Sequence, residues 1–289
     1  MSIIYYLIGL PFVGGLVCLI LSERMRLLIW GIAFDICFVL FATLLCVFNH
    51  NPIPTEIWFL WDGLTNLILL GIAFFGLVIS IYSYKMIDTS ISRRYYAYLL
   101  WTLGASLGVA FANNLILMAV FWGILAITLY LMINLGGSKS AYPAKKTFII
   151  VGGSDSFLIL GIAILWVLCG SINITDINIQ INSGIAACAF LCFICAAFAK
   201  AGVMPLHTWI GEISETAPVP VMAFLPASID KLLGIYLLAR VCLNLFSYHE
   251  SLWFLLRLLG SITILGAVFL ALIQHNMKKL LAYHAVSRV

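Results

Sequence analysis

Lys231 sits in the middle of an apolar stretch, next to Asp230, and Lys200 follows the apolar run Ile185–Ala199. A charged side chain at bilayer depth is costly, so it faces protein or a water-filled cavity and marks an ion path. A local pair with Asp230 is the plainer reading of Lys231, but helix neighbours one apart point about 100° from each other and pair poorly. Lys200 precedes Ala201-Gly202-Val203-Met204-Pro205, in which Gly and Pro break the helix. Broken helices at membrane depth are tolerated where they line a cavity or are buried in protein, and transporters use them to build ion sites. The plainer alternative for Lys200 is a helix-end lysine reaching the interface. The polar residues His207, Trp209, Glu212 and Glu215 continue the segment beyond it and argue against that.

A buried lysine suits proton carriage, because desolvation penalises its charged form and a nearby charge can then load or unload it. His207 titrates near physiological pH and stands close beyond the break, where it could relay a proton between Lys200 and Lys231 or serve as a structural hydrogen-bonding group. Asp155, in Gly152-Gly153-Ser154-Asp155, and Asp35 are intramembrane carboxylates by the same reading. Small residues beside Asp155 permit close helix packing, which makes it the candidate counter-charge to Lys200. The other placement for Asp155 is a first-turn position near the cytoplasmic interface. Asp62, in Trp61-Asp62-Gly63-Leu64, reads as a helix cap.

The elements that must hold these residues are membrane helices. The chain has 289 residues, 64% hydrophobic and 9% charged, with a mean hydropathy of +1.15. A water-facing surface needs far more charge, which excludes a soluble globular enzyme. A spanning helix needs roughly 20 mostly apolar residues, and the chain offers about nine such runs. Helices are expected at 3–21, 27–48, 60–82, 95–111, 115–135, 147–169, 185–203, 221–246 and 252–274, with the start of a tenth at Lys278. The expected fold is therefore an all-α polytopic transmembrane bundle, one domain over 1–289, with its seventh helix broken. Arg240 and Arg257 lie near helix ends and are expected to reach for the interface.

Basic residues alternate with the loops. Arg24 and Arg26, Lys85 with Arg93 and Arg94, Lys139 with Lys145 and Lys146, and Lys278 with Lys279 and Arg288 fall on odd-numbered connections. The stretches 49–57, 170–183 and 247–250 hold no Lys or Arg. The positive-inside rule then places the N-terminus outside, in a cell inner membrane. The first helix has neither a basic leader nor a small-residue cleavage site, so it is expected to remain in the mature protein.

Cys188, Cys192 and Cys195 share a helix face, yet buried cysteine behaves as a small hydrophobe, and no metal site is assigned. No nucleotide-binding loop, Rossmann glycine pattern or iron–sulfur spacing is present. No cofactor is expected, and any redox centre is expected in a partner. Nothing points to nucleic acid.

Lys200, then Pro205-Leu206-His207-Thr208-Trp209, Ala217-Pro218-Val219-Pro220-Val221 and Lys231 through Arg240 resemble the core of the antiporter-like membrane subunits. These occur in respiratory complex I, energy-converting membrane-bound hydrogenases and multisubunit cation/proton antiporters. Lys278-Lys279-Leu280-Leu281-Ala282-Tyr283 is similar to the family's segment entering the tenth helix, and Asp62-Gly63-Leu64 to another family element. The resemblance implies that Lys200 is the central broken-helix lysine and Lys231 the next lysine of a proton or Na⁺ wire.

Three departures stand out. Phe121-Trp122 is followed by Gly123, where the family usually carries a glutamate that pairs with the central lysine, and Asp155 is the candidate substitute. The segment Ile210-Gly211-Glu212 replaces a Leu-Pro-acid turn. The chain stops at Val289 where the family runs on. Another chain supplying the missing helices, or a truncated product, would account for that stop. The expected function is an ion-translocating subunit of a redox-driven complex, with Lys200, Lys231, His207, Asp155 and Asp230 carrying the ion. An antiporter subunit or a non-conducting half-subunit are the alternatives. Expected partners are other membrane subunits, soluble redox subunits and the lipid bilayer.

Overall fold

The computed structural model describes residues 2–48, 57–247 and 249–289. The basic-free stretch 49–57 therefore lies largely outside the described residues, as does position 248. Among the described residues the chain is a helical bundle without strands. Its helices are α1 (Ser2–Ile20), α2 (Arg26–Phe48), α3 (Gly63–Met86), α4 (Thr89–Phe111), α5 (Leu115–Asn134), α6 (Ala141–Cys169), α7 (Gly184–Ala201), α8 (Thr208–Thr216), α9 (Val219–Phe224), α10 (Asp230–Arg240), α11 (Glu250–Leu272) and α12 (Met277–Val286). One-turn π segments, Leu225–Ile229 and Val241–Leu245, fuse with α9 and α10 into one span.

Eight of these segments are long and apolar enough to cross a membrane. A ninth long helix, α4, carries Arg93 and Arg94 near its start and is buried along almost its whole length from Tyr95 to Phe111. It is the hub of the first half of the bundle, packed on α1, α2, α3 and α5. Nine long segments and the start of a tenth agree with the hydropathy reading. Helices are the form that long apolar runs take where no water can satisfy the backbone. Their ends are set by short polar residues: Asp62 accepts from the Thr65 amide (2.8 Å), Asn114 from those of Ile116 and Leu117, and Ser183 from that of Ala186.

One end of the bundle is knitted by backbone bonds between loops. The Leu60 amide donates to Phe111, Asn113 to Trp58, Leu115 to Ile172, and Ile179 to Leu245. The described connections that meet there contain no Lys or Arg. At the other end, Arg93 pairs with Glu23 at 3.3 Å, Lys279 with Glu215 at 3.7 Å, and Lys146 with Glu212. The lysines and arginines of the described loops thus gather at one end of the bundle.

Arg240 departs from the sequence reading. It does not reach for the interface but is 1% exposed. Its guanidinium forks onto Asp62, with Nη1 and Nη2 each 2.7 Å from a carboxylate oxygen, and also donates to Thr65 Oγ1, Tyr236 and Asn244. Every N–H of the fork is used, so the cost of burying it is offset. The clamp ties the start of α3 to the end of α10 across 178 residues. Arg257, by contrast, is exposed on α11.

Burial alone would push the Asp62 carboxyl up, but the Arg240 side chain and the Thr65 amide outweigh it and hold it down at about 2 instead of 3.8. Because the folded value is depressed, this contribution to stability is complete above the unfolded value of 3.8 and is lost as pH falls through about 2. Removing one partner of a fully buried pair costs about 3–5 kcal/mol. The Asp62 side chain is 38% exposed, so screening lowers the expected cost. We predict that Arg240→Met destabilises the protein by about 2 kcal/mol in thermal melts in detergent at pH 7. That deficit should shrink as the pH approaches 2.

Candidate functional site

Lys200 is the penultimate residue of α7. The helix stops there because Gly202 adopts φ +81°, and a Cβ at that position would strike Ile210. The amides of Gly202 and Val203 both return to the Phe198 carbonyl, at 2.8 and 2.9 Å. The Trp209 indole, on α8, donates to the Ala199 carbonyl at 3.0 Å and takes up one of the carbonyls freed by the break. The remaining terminal carbonyls give this helix end a negative potential that favours a cation in the last turn.

Lys200 is 1% exposed. Its partner is Asp230 on α10, with Nζ to Oδ1 at 3.5 Å and both side chains fully buried. The Trp122 ring on α5 covers it, with the centroid 4.8 Å from Nζ. Neither Lys200 Nζ nor either oxygen of Asp230 makes a hydrogen bond with the described residues. The pair therefore keeps spare donors and acceptors, which a group that takes up and releases protons needs.

Close packing sets this distance. Gly234, one turn after Asp230 on the same face of α10, lies against α7. A Cβ there would be 2.7 Å from Ala201 Cβ and 2.8 Å from the Ala197 carbonyl oxygen. The π turn Leu225–Ile229 immediately precedes Asp230 and carries one extra residue per turn, which sets the rotation at which α10 starts.

The remaining sequence candidates are placed as follows. Asp155, on α6, is half-buried, and neither its Oδ1 nor the Trp122 indole N–H has a hydrogen-bond partner among the described residues. The direct ion-pair partner of Lys200 is Asp230, which the sequence reading had considered only beside Lys231. Lys231 turns away from that pair and donates to the Ala285 carbonyl on α12, near Arg288. His207 packs against Tyr283 of α12, ring centroids 6.2 Å apart, and its buried Nδ1 has no hydrogen-bond partner among the described residues. It is joined to neither lysine by a hydrogen bond. Asp35 lies on α2, outside this cluster. Trp122 is the residue the sequence reading passed over as a site residue. Its only signal was its place before Gly123.

The family described as NADH:quinone oxidoreductase/Mrp antiporter, TM, matches residues 112–289. The chain belongs to that family. NAD(P)H-quinone oxidoreductase subunit 5, chloroplastic, of Acorus calamus and of Nandina domestica is 32% identical over 257 residues, covering 83% of this chain and 34% of each relative. The chain thus spans about a third of the length of these curated relatives. Among solved structures, the archaeal membrane-bound sulfane sulfur reductase, a respiratory membrane complex, shares the fold with a TM-score of 0.86 at 22% identity. That match covers 100% of this chain and 63% of the other. The Mrp complex from Dietzia sp. matches with 0.86 at 22% over 99% of this chain and 33% of the other. Respiratory complex I from Thermus thermophilus matches with 0.81 at 20% over 98% and 62%.

The Gly234 contact leads to a graded expectation. Gly234→Ala and then Gly234→Val should each lower the unfolding temperature in detergent, with overpacking costing about 1–3 kcal/mol and the larger residue costing more. Equal melting of all three proteins would show that α7 and α10 do not meet so closely.

Proposed function

We propose that this chain is an ion-translocating membrane subunit of a redox-driven complex, and that the Lys200–Asp230 pair is its proton carrier. The observation that carries the reading is one fully buried ammonium–carboxylate pair at the end of a broken helix, 3.5 Å apart and with hydrogen-bonding capacity unused. Structural ion pairs in apolar surroundings normally satisfy their remaining donors and acceptors, as Arg240 does. The Lys200–Asp230 pair leaves them open.

Lys200, charged, is held by Asp230 and by the Trp122 face. A proton passing from its ammonium to the carboxylate leaves a neutral amine beside a neutral acid, which costs little in a low-dielectric site. Asp230 and Lys231 are consecutive in the chain, and Lys231 reaches to α12, so α10 links the Lys200 site to the α12 side of the bundle. Lys231 is the next station by this account, and His207 and Asp155 adjoin the path. The N-terminus is outside, the end of the bundle whose described connections lack Lys and Arg faces the same side, and the membrane is the cell inner membrane. Other membrane subunits and soluble redox subunits are its partners. The equal likeness to the Mrp complex supports a second reading, a subunit of a cation/proton antiporter built on the same pair.

The test is proton uptake by proteoliposomes holding the purified complex. Lys200→Met and Asp230→Asn should each reduce driven uptake at least tenfold, a loss of about 1.4 kcal/mol or more in the rate-limiting barrier. The double variant Lys200→Met/Asp230→Leu, which removes both members of the pair, should be better folded than either single variant and as inactive as they are. Parental uptake by both single variants would remove the pair from the path.

A further inference from the structure

We infer that the charged end of the bundle holds one aminophospholipid, with an acyl chain in a slot between α9 and α12 and its headgroup in the bowl at the slot's mouth. The inference is independent of the carrier role proposed for Lys200.

Two connected hollows carry it. The first is a slot of about 230 Å³ whose walls come from α8, α9, the π turn Leu225–Ile229 and α12. Both α9 and α12 start at the charged end of the bundle, so Val219 and Lys278 mark the mouth of the slot. Met222, Pro226 and Leu281 continue the walls inward, and Ala285 lies at the deep end. The second hollow is a bowl of about 340 Å³ that shares Val219 and Lys278 with the slot. Its other walls are the α3–α4 connection with Asp88, the turn after α5, and the end of α8 with Glu215.

The slot calls for an apolar occupant. Polar groups on its walls are already engaged. Ser214 Oγ donates to the Gly211 carbonyl at 2.7 Å, Ser228 Oγ donates to the Ala223 carbonyl at 2.7 Å, and Lys231 donates to the Ala285 carbonyl. A buried water needs two to four polar partners, so a slot lined this way stays dry and takes apolar ligands. Its volume is below the roughly 300–1,000 Å³ of sites for drug-sized molecules. A helix, about 10–12 Å across with its side chains, is too wide for it. A single hydrocarbon chain is narrow enough.

Charge selects the headgroup. Lys278 and Asp88 stand on the same bowl with opposite charges, and neither pairs with a charged group among the described residues. Glu215 is engaged by Lys279 at 3.7 Å. Asp88 precedes α4, yet its side chain makes no capping hydrogen bond. Basic pockets between membrane helices select anionic lipids. This bowl instead sets one lysine against two carboxylates, which disfavours a headgroup of net negative charge. A phosphate beside Lys278 and an ammonium beside Asp88 satisfy both unpaired groups, and phosphatidylethanolamine carries the two on one headgroup.

Native mass spectrometry of the purified complex tests this, after it is stripped of lipid in detergent and offered equal phosphatidylethanolamine and phosphatidylglycerol. Each variant is first checked for folding by its thermal melt. Ala223→Phe puts a ring into the slot and should retain one phospholipid fewer per copy than the parent. Lys278→Ala should weaken retention of that lipid about fivefold, the upper range for one exposed ion pair. Asp88→Lys should turn its preference from the ethanolamine to the glycerol headgroup by a similar factor. Equal retention by the parent and a folded Ala223→Phe protein would overturn the slot. A headgroup preference unchanged in Asp88→Lys would overturn the choice of an aminophospholipid. A photoreactive group at position 223 gives a reading that does not depend on the bulky variant. It should label phospholipid, and labelling of polypeptide alone would mean that protein closes the slot and that the inference is wrong.

Discussion

A charge without water needs a counter-charge, and this bundle is arranged around one such need. Lys200, at 1% exposure, carries its ammonium inside a chain that is 64% hydrophobic. Stranding it would cost several kcal/mol, a large part of the net stability of most domains. Asp230 at 3.5 Å, the Trp122 ring and the carbonyl end of α7 together make its burial tolerable. None of the three is a full hydrogen bond, so the ammonium is held in place without being locked.

The elements around it follow from that requirement. Gly202 ends α7 so that the lysine sits on the last turn, where the helix field favours a cation. Gly234 lets α10 approach close enough for a short carboxylate to reach the lysine. The π turn before Asp230 sets which face of α10 looks at α7. Beyond the site, the Arg240–Asp62 clamp fixes the far end of α10 to α3 through a fully used guanidinium fork. The contrast between the two buried cations is instructive. The one that only holds helices together has all its hydrogen bonds, and the one assigned to proton carriage has none within the described protein.

Much of this was legible in the sequence because the physics is local. Apolar length gave the long helices, including the broken seventh. Lysines in apolar runs marked Lys200 and Lys231, and the Asp62 cap follows from a carboxylate just before a helix. What was not legible depends on packing between distant segments. The pairing of Lys200 with Asp230 is set by how α7 meets α10. The sequence showed Asp230 only as the neighbour of Lys231. The burial of Arg240 depends on a partner 178 residues away, so a helix-end arginine looked free to reach the interface. Trp122 gains its meaning only once Lys200 is seen beneath its ring.

The central claim is that the Lys200–Asp230 pair changes protonation as the protein works. Infrared difference spectroscopy of the reconstituted complex, resting against driven, reads carboxyl protonation directly. The account predicts a protonated-carboxyl band that appears on driving and is lost both in Asp230→Asn and in Lys200→Met. An Asp230 carboxyl whose band is the same at rest and under drive would mean that the pair is structural, and the account would be wrong.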